Sequence, residues 1–223
     1  MQRLIAAALL LLSCALPGAQ AFGLPIDNPL LRSFYWFRFV GGDDVKKACA
    51  AGAPDIYRLV YNATWREQVR AYDIETRPDG SGQLTVRVLG PTVINSVEIA
   101  EPSGILDPWR GQRATVELSA GQVAALRQAI EASGGFAFSS RAFDIPSNAF
   151  YWAVSACHEG RFTSTAYLYE MDGFRAVRFD KMLFGLDTTG VPVNPVKELP
   201  PASFRGDQTQ VWRLRVGSRG IEY

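Results

Sequence analysis

The strongest constraint on the fold is a stretch near residues 150–169, where the chain changes direction in the middle of two aromatic, β-branched runs. Phe150 to Cys157 reads as one strand and Arg161 to Tyr169 as its return. Between them His158-Glu159-Gly160 has the form of a three-residue turn with Gly in the left-handed position. That loop length pairs Ala156 with Phe162, Val154 with Ser164, Trp152 with Ala166 and Phe150 with Leu168. Seven of these eight side chains are apolar, so this face is expected to be the buried one.

The same period of two recurs upstream. Tyr57, Leu59 and Tyr61 line one face of a strand, and Tyr72 and Ile74 mark another within Glu67 to Thr76. Arg77-Pro78-Asp79-Gly80 supplies turn chemistry: Pro presets φ, Asp bonds back to the backbone and Gly takes the left-handed position. Leu84, Val86 and Val88 return, and Arg113 to Leu118 forms a further strand. Six breakers between Gly90 and Gly111 leave room for one strand, Val93 to Ile99. Downstream, Met171-Asp172-Gly173 repeats the turn device before a strand Phe174 to Phe179, and a last strand, Thr209 to Val216, is expected to rejoin the sheet.

Helical signals are fewer. Ser119 and Gln122 stand in capping-box relation at the start of a helix from Ala120 to Ser133. Leu118 and Val123 are placed as its staple, Val123, Leu126 and Ile130 as its buried stripe, and Gly134-Gly135 stop it. Asn28-Pro29 pairs a cap with Pro at the first helical position. Leu30, Leu31, Phe34, Phe37 and Val40 follow at near-helical spacing, with a strand as the rival reading. Asp43 or Asp44 would cap a second short helix reaching Cys49 to Ala51. The fold class is therefore α+β, an antiparallel sheet packed by one main helix with a short helical N-terminal subdomain. It divides into 1–21, 22–54 and 55–223.

Residues 1–21 read as a secretory signal peptide. Met1-Gln2-Arg3 is basic, Leu4 to Leu12 is apolar but too short to span a bilayer, and Ala19-Gln20-Ala21 is a small-x-small cleavage site. The expected location is the periplasm or outside the cell, with no membrane span. Leu11-Leu12-Ser13-Cys14 also loosely fits a lipoprotein box, which would make Cys14 a lipid anchor. Removal of Arg3 with the leader brings 23 basic residues to 22, against 22 acidic ones. A neutral chain has no general pull toward nucleic acid or anionic lipid. Cys49 and Cys157 then remain as an even pair in an oxidising compartment, where a disulfide between them is expected. The alternative is two buried thiols too far apart to bond.

Chemistry is read mainly by exclusion. His158 is the single histidine, at an expected hairpin tip, where a solvated and dispensable imidazole is the reading. Cys157 and His158 are neighbours whose side chains point to opposite faces of a strand and do not form a nucleophile–base pair. No nucleophile elbow, phosphate loop or Cys-x-x-Cys is present. Asp43, Asp44, Asp144, Glu159 and Glu170 lie near turns, but their spacing singles out no pair for acid–base work. Asp144 with Asn148 lacks recognisable cation-ligand spacing, and no cofactor is implied. The run Phe34-Tyr35-Trp36-Phe37-Phe39 is a candidate docking patch for a protein or sugar. Its alternative is a helix covered on both faces.

Tyr57-Arg58-Leu59-Val60-Tyr61, the Asp79-Gly80 turn, the Leu118-Ser119-x-x-Gln122 helix start, the strand around Trp152 and the turn ending Gly160-Arg161-Phe162 together resemble a type of small secreted bacterial protein with no assigned activity. The resemblance covers roughly Asp55 to Phe179 and implies no catalytic residue. The functional expectation is a non-catalytic periplasmic or envelope protein that binds a protein or envelope component. A carboxylate-dependent hydrolase and a lipid-anchored envelope protein are the alternatives.

Overall fold

A computed structural model describes residues 24–50, 52–90, 111–199 and 212–223. The expected signal peptide with Cys14, and the expected strand Val93–Ile99, lie outside the described residues. Six strands build the main antiparallel sheet: β1 (Ile56–Ala63), β2 (Gln68–Thr76), β3 (Gly82–Leu89), β4 (Gln112–Leu118), β6 (Phe150–His158) and β7 (Arg161–Leu168). Their order is β4-β3-β2-β1-β6-β7. A second sheet, ordered β5-β8-β9, contains β5 (Phe143–Pro146), β8 (Arg213–Gly217) and β9 (Gly220–Glu222).

Helix α3 (Ala120–Ala132) carries the expected capping box, and Val123, Leu126 and Ile130 bury against Tyr57, Leu59, Tyr72, Leu84 and Trp152 on one face of the main sheet. The Asp79 carboxylate accepts from the Ser81 backbone N–H at 2.9 Å and closes the β2–β3 turn. On the opposite face lie α1 (Pro29–Gly41), α2 (Asp43–Ala48) and the small sheet. The main sheet is therefore covered on both sides, which the residue pattern of β1 already records: all eight of its residues are buried.

That double burial explains a register error of one residue. The hairpin turn is the two-residue Glu159-Gly160, at φ 52 and 72, not a three-residue loop. His158 pairs with Arg161, Ala156 with Thr163, Val154 with Thr165 and Trp152 with Tyr167. Phe162, Ala166 and Leu168 thus pack on the face away from Trp152. Apolar residues line both faces, so hydrophobicity does not choose between the two registers. A turn with both central residues left-handed matches the strand twist and decides it.

Three further expectations change. Met171-Asp172-Gly173 opens α4 (Asp172–Arg175), and α5 (Asp180–Leu186) follows, so the expected strand Phe174–Phe179 is absent. Asp172 and Asp180 each sit in a first helical turn, where a negative charge is favoured. Strand β8 joins β5 and β9 rather than the main sheet. Helix α1 forms with Asn28 as its cap, its side chain accepting from Leu30 N–H, but it buries Arg32, Trp36, Phe39 and Val40 instead of the Leu30–Phe34–Phe37 stripe. Helix α2 starts at Gly42 without a side-chain cap and ends at Ala48. Gly42 has φ 78, and a Cβ there would lie 2.5 Å from Ser155 Cβ, so α1 and α2 meet against β6 only because the residue has no side chain.

Charge fastens the N-terminal helices to the sheet. Arg58, fully buried on β1, donates Nε to Asp73 at 2.6 Å and its two terminal nitrogens to Asp44 of α2 at 2.7 and 3.0 Å. Its guanidinium also lies 3.6 Å from the Phe39 ring centroid. Asp73 in turn takes Arg87, whose Nε reaches Asp27 at 2.8 Å. Alternating signs satisfy each buried charge, the condition under which such a ladder is tolerated. The Cys49–Cys157 disulfide, with a Cα separation of 5.4 Å, ties the end of α2 to β6.

Candidate functional site

Two places concentrate chemistry outside the core. The first is built at the junction of β1 with the β6–β7 turn. Asp55 precedes β1, Tyr57 is its second residue, and antiparallel pairing of Ile56 with Cys157 brings His158 beside both. Asp55 Oδ2 accepts from the Tyr57 hydroxyl at 2.6 Å and lies 2.8 Å from His158 Nδ1, while Oδ1 accepts from the Glu159 backbone N–H at 2.8 Å. Burial alone would raise the Asp55 carboxyl, but the hydrogen bonds from Tyr57, Glu159 and His158 outweigh it and hold the group below the usual range. Burial first, then the hydrogen bond to Asp55 and its charge, push the Tyr57 hydroxyl well above the phenol range, so it remains a donor. With an ionised carboxylate opposite, the tautomer that carries its hydrogen on Nδ1 suits this contact. The ring stacks on Phe136 at 4.2 Å between centroids and 20° between planes.

His158 is therefore not the solvated tip expected from the sequence. Its side chain is 19% exposed and has an acid in reach. The one-residue shorter turn places it on the last rung of β6 instead of in the loop. The arrangement orients an imidazole as the acid–base pair of a hydrolytic triad does. Among the described residues His158 meets Asp55 and Tyr57, and its neighbour Cys157 is closed in the disulfide. What the cluster accomplishes is to clamp the β6–β7 turn to the start of β1. A cleft of about 200 Å³ adjoins it, lined by Asp55, Tyr57, Arg77 and Arg127. Arg77 forks onto Glu117 and draws that carboxyl down to about 2.

The second place is a cleft of about 540 Å³ along β7, lined by Phe138, Arg141, Ala166, Leu168, Glu170 and Asp172 among others. Strand β7 is an edge of the main sheet. A two-residue turn makes His158 and Arg161 a hydrogen-bonded pair, so the odd-numbered residues of β7 bond to β6, as Tyr169 N–H does to the Phe150 carbonyl beyond it. The pairing thus turns the N–H and C=O groups of Ala166 and the N–H of Leu168 away from β6, on the side of the cleft that both residues line, with Ala166 itself only 6% exposed. The Leu168 carbonyl is taken by Met171 N–H.

The residues singled out from sequence are scattered. Of the aromatic run, Trp36 and Phe39 are buried, Tyr35 and Phe37 are half-buried, and Phe34 alone is well exposed, at 76%, with Leu30 beside it at 64%. Trp36 stacks with Phe39 and packs 4.7 Å from the Trp65 ring centroid, so the run is mainly a helix covered by core. Asp43 bonds to Arg38 and Tyr223, Asp44 to Arg58, and Asp144 pairs with Arg213 and Arg215. These pairings leave Asp144 serving arginines rather than a metal cation. Glu159 sits in the turn. Glu170 and Asp172 share the rim of the β7 cleft, but both are exposed, without the apolar surroundings that hold a carboxylic acid ready to donate. Among the described residues no cluster of three His, Cys, Asp or Glu side chains is placed to hold a metal.

No protein-family model matches this chain, and no curated protein matches it. No helix among the described residues is long and apolar enough to cross a membrane.

Proposed function

We propose that this chain is an exported, non-catalytic module of the periplasm or cell envelope that binds a partner polypeptide by adding it as an extended segment to β7. The carrying observation is the outward backbone of Ala166 and Leu168 beside a cleft of about 540 Å³. An edge strand supplies main-chain hydrogen bonds, and the flanking pockets select alternate side chains. Phe138 and Leu168 offer apolar contact, while Arg141, Glu170 and Asp172 offer charges of both signs at the rim. His158, held by Asp55 at 2.8 Å and by Tyr57 at 3.2 Å, is used as a clamp on the β6–β7 turn, which agrees with the same reading.

Ala166→Pro tests it. Proline deletes the outward N–H without touching a ladder bond, which an edge strand accepts. Decapeptides selected from a displayed random library against the parent protein should lose at least tenfold in affinity on Ala166→Pro and be unaffected by Phe34→Asp. Binders indifferent to Ala166→Pro overturn the proposal, and sensitivity to Phe34→Asp instead would move the site to α1.

A further inference from the structure

Residues 187–199 follow α5 without regular secondary structure, crossing the end of the main sheet at Gln68, Arg70 and Tyr61. They contain Pro192-Val193-Asn194-Pro195. The sheet holds this segment by its backbone. Gln68 Nε2 donates to the Pro192 carbonyl at 2.9 Å, and Gln68 Oε1 accepts from Asn194 N–H at 3.0 Å. The Tyr61 hydroxyl donates to the Asn194 carbonyl at 2.9 Å. Arg70 donates to the Val191 and Pro192 carbonyls and pairs with the Asp187 carboxylate, which Tyr72 also approaches at 3.4 Å. Val191, Val193 and Val196 pack on a core whose nearby rings are Tyr61, Trp152 and Phe184, with centroids 5.0–5.6 Å apart. Pro192 and Pro195 stay exposed.

Side chains that read carbonyls and N–H groups of a proline-stiffened extended segment, above an aromatic floor, are the means by which proteins bind proline-containing peptides. From this chemistry we infer that the groove floored by Tyr61, Tyr72, Trp152 and Phe184 is a receptor for a partner's extended peptide, with an acidic residue five positions before a Pro-x-x-Pro, and that residues 187–199 occupy it in cis. The acid is required because Arg70 is fully buried, and its charge must be answered when the strap leaves. The strap is tethered, so it competes at an effective concentration of order mM, and an external peptide gains access as the strap loosens. None of Tyr61, Tyr72, Trp152 and Phe184 lines the β7 cleft, so the two sites are separate.

The test uses the full chain with Pro192→Gly and Pro195→Gly together. Both prolines are exposed, so the floor is untouched while the strap becomes more flexible when released. The probe is a fluorescent synthetic peptide copying residues 187–199. The variant should bind it roughly tenfold more tightly than the parent, and trypsin should cut after Lys197 faster by a similar factor. An Asn at the peptide's first position should lose that gain. Faster cleavage with no gain in peptide affinity overturns the receptor reading, and so does an unchanged cleavage rate in a protein whose circular dichroism matches the parent.

Discussion

Removing the Cys49–Cys157 bridge should be among the most costly local changes to the fold. The cysteines are 108 residues apart in sequence. On the chain-entropy model, closing a loop of that size restricts the unfolded chain by about 4.7 kcal/mol, and measured values run from near zero to about 5. Against a total stability of about 5–15 kcal/mol, that is a large fraction. The native side gives little back, because Cys157 is fully buried on β6, already paired to β1 and β7, and α2 is held independently through Asp44 and Arg58. The Cys49→Ala/Cys157→Ala protein should therefore keep its far-UV circular dichroism. Its urea-unfolding free energy should fall by roughly 3–5 kcal/mol, and its Tm by roughly 6–20 °C. Adding reductant should do the same to the parent and nothing to the variant. A loss under about 1 kcal/mol would refute the argument, as would a variant that never folds.

Other consequences follow from the charged clusters and the leader. His158→Ala should destabilise by about 1–3 kcal/mol, more than a surface change, since it strips Asp55 of a partner and Phe136 of its stacked ring; calorimetry would measure it. Because the Asp55 carboxyl is held low in the fold, its contribution is complete above about pH 4 and lost as pH falls through the folded value. Acid unfolding of Asp55→Asn should accordingly show a shallower limb below pH 4. Arg58→Met should cost about 3–5 kcal/mol by leaving Asp44 without its arginine and Asp73 with only Arg87, read by urea unfolding. Mass spectrometry of the exported protein should find Phe22 first, and a lipid-modified Cys14 would replace that expectation with the anchored form.

What could be read from the sequence was local chemistry. Ser119 and Gln122 satisfy one another across three residues, and Pro78-Asp79-Gly80 closes its own turn, so α3 and the β2–β3 hairpin are visible without the rest of the fold. The cysteine pair was legible because the expected loss of the leader, with Cys14, would leave each of the two no other partner. The register of β6 on β7 was not, because burial on both faces removes the alternation that normally sets it. Nor was the buried side of α1: Arg32 turns inward because its Nε bonds the Ile26 carbonyl at 2.8 Å, which no hydrophobic count anticipates. The Asp55–His158 contact spans 103 residues and depends on that same register. The β7 cleft is a property of strand order, which places β7 at the edge although β6 and β7 resemble the interior strands in composition.

The central claim, that β7 is an open edge which takes up a polypeptide, is tested most directly by amide hydrogen exchange at Ala166 and Leu168, resolved by NMR. In the free protein these two amides should exchange much faster than Thr165 and Tyr167, which bond inward to β6. With a library-selected peptide at saturation they should slow by at least tenfold, while Thr165 and Tyr167 change little. Equal protection of all four in the free protein, or no slowing of Ala166 and Leu168 under bound peptide, would contradict the account.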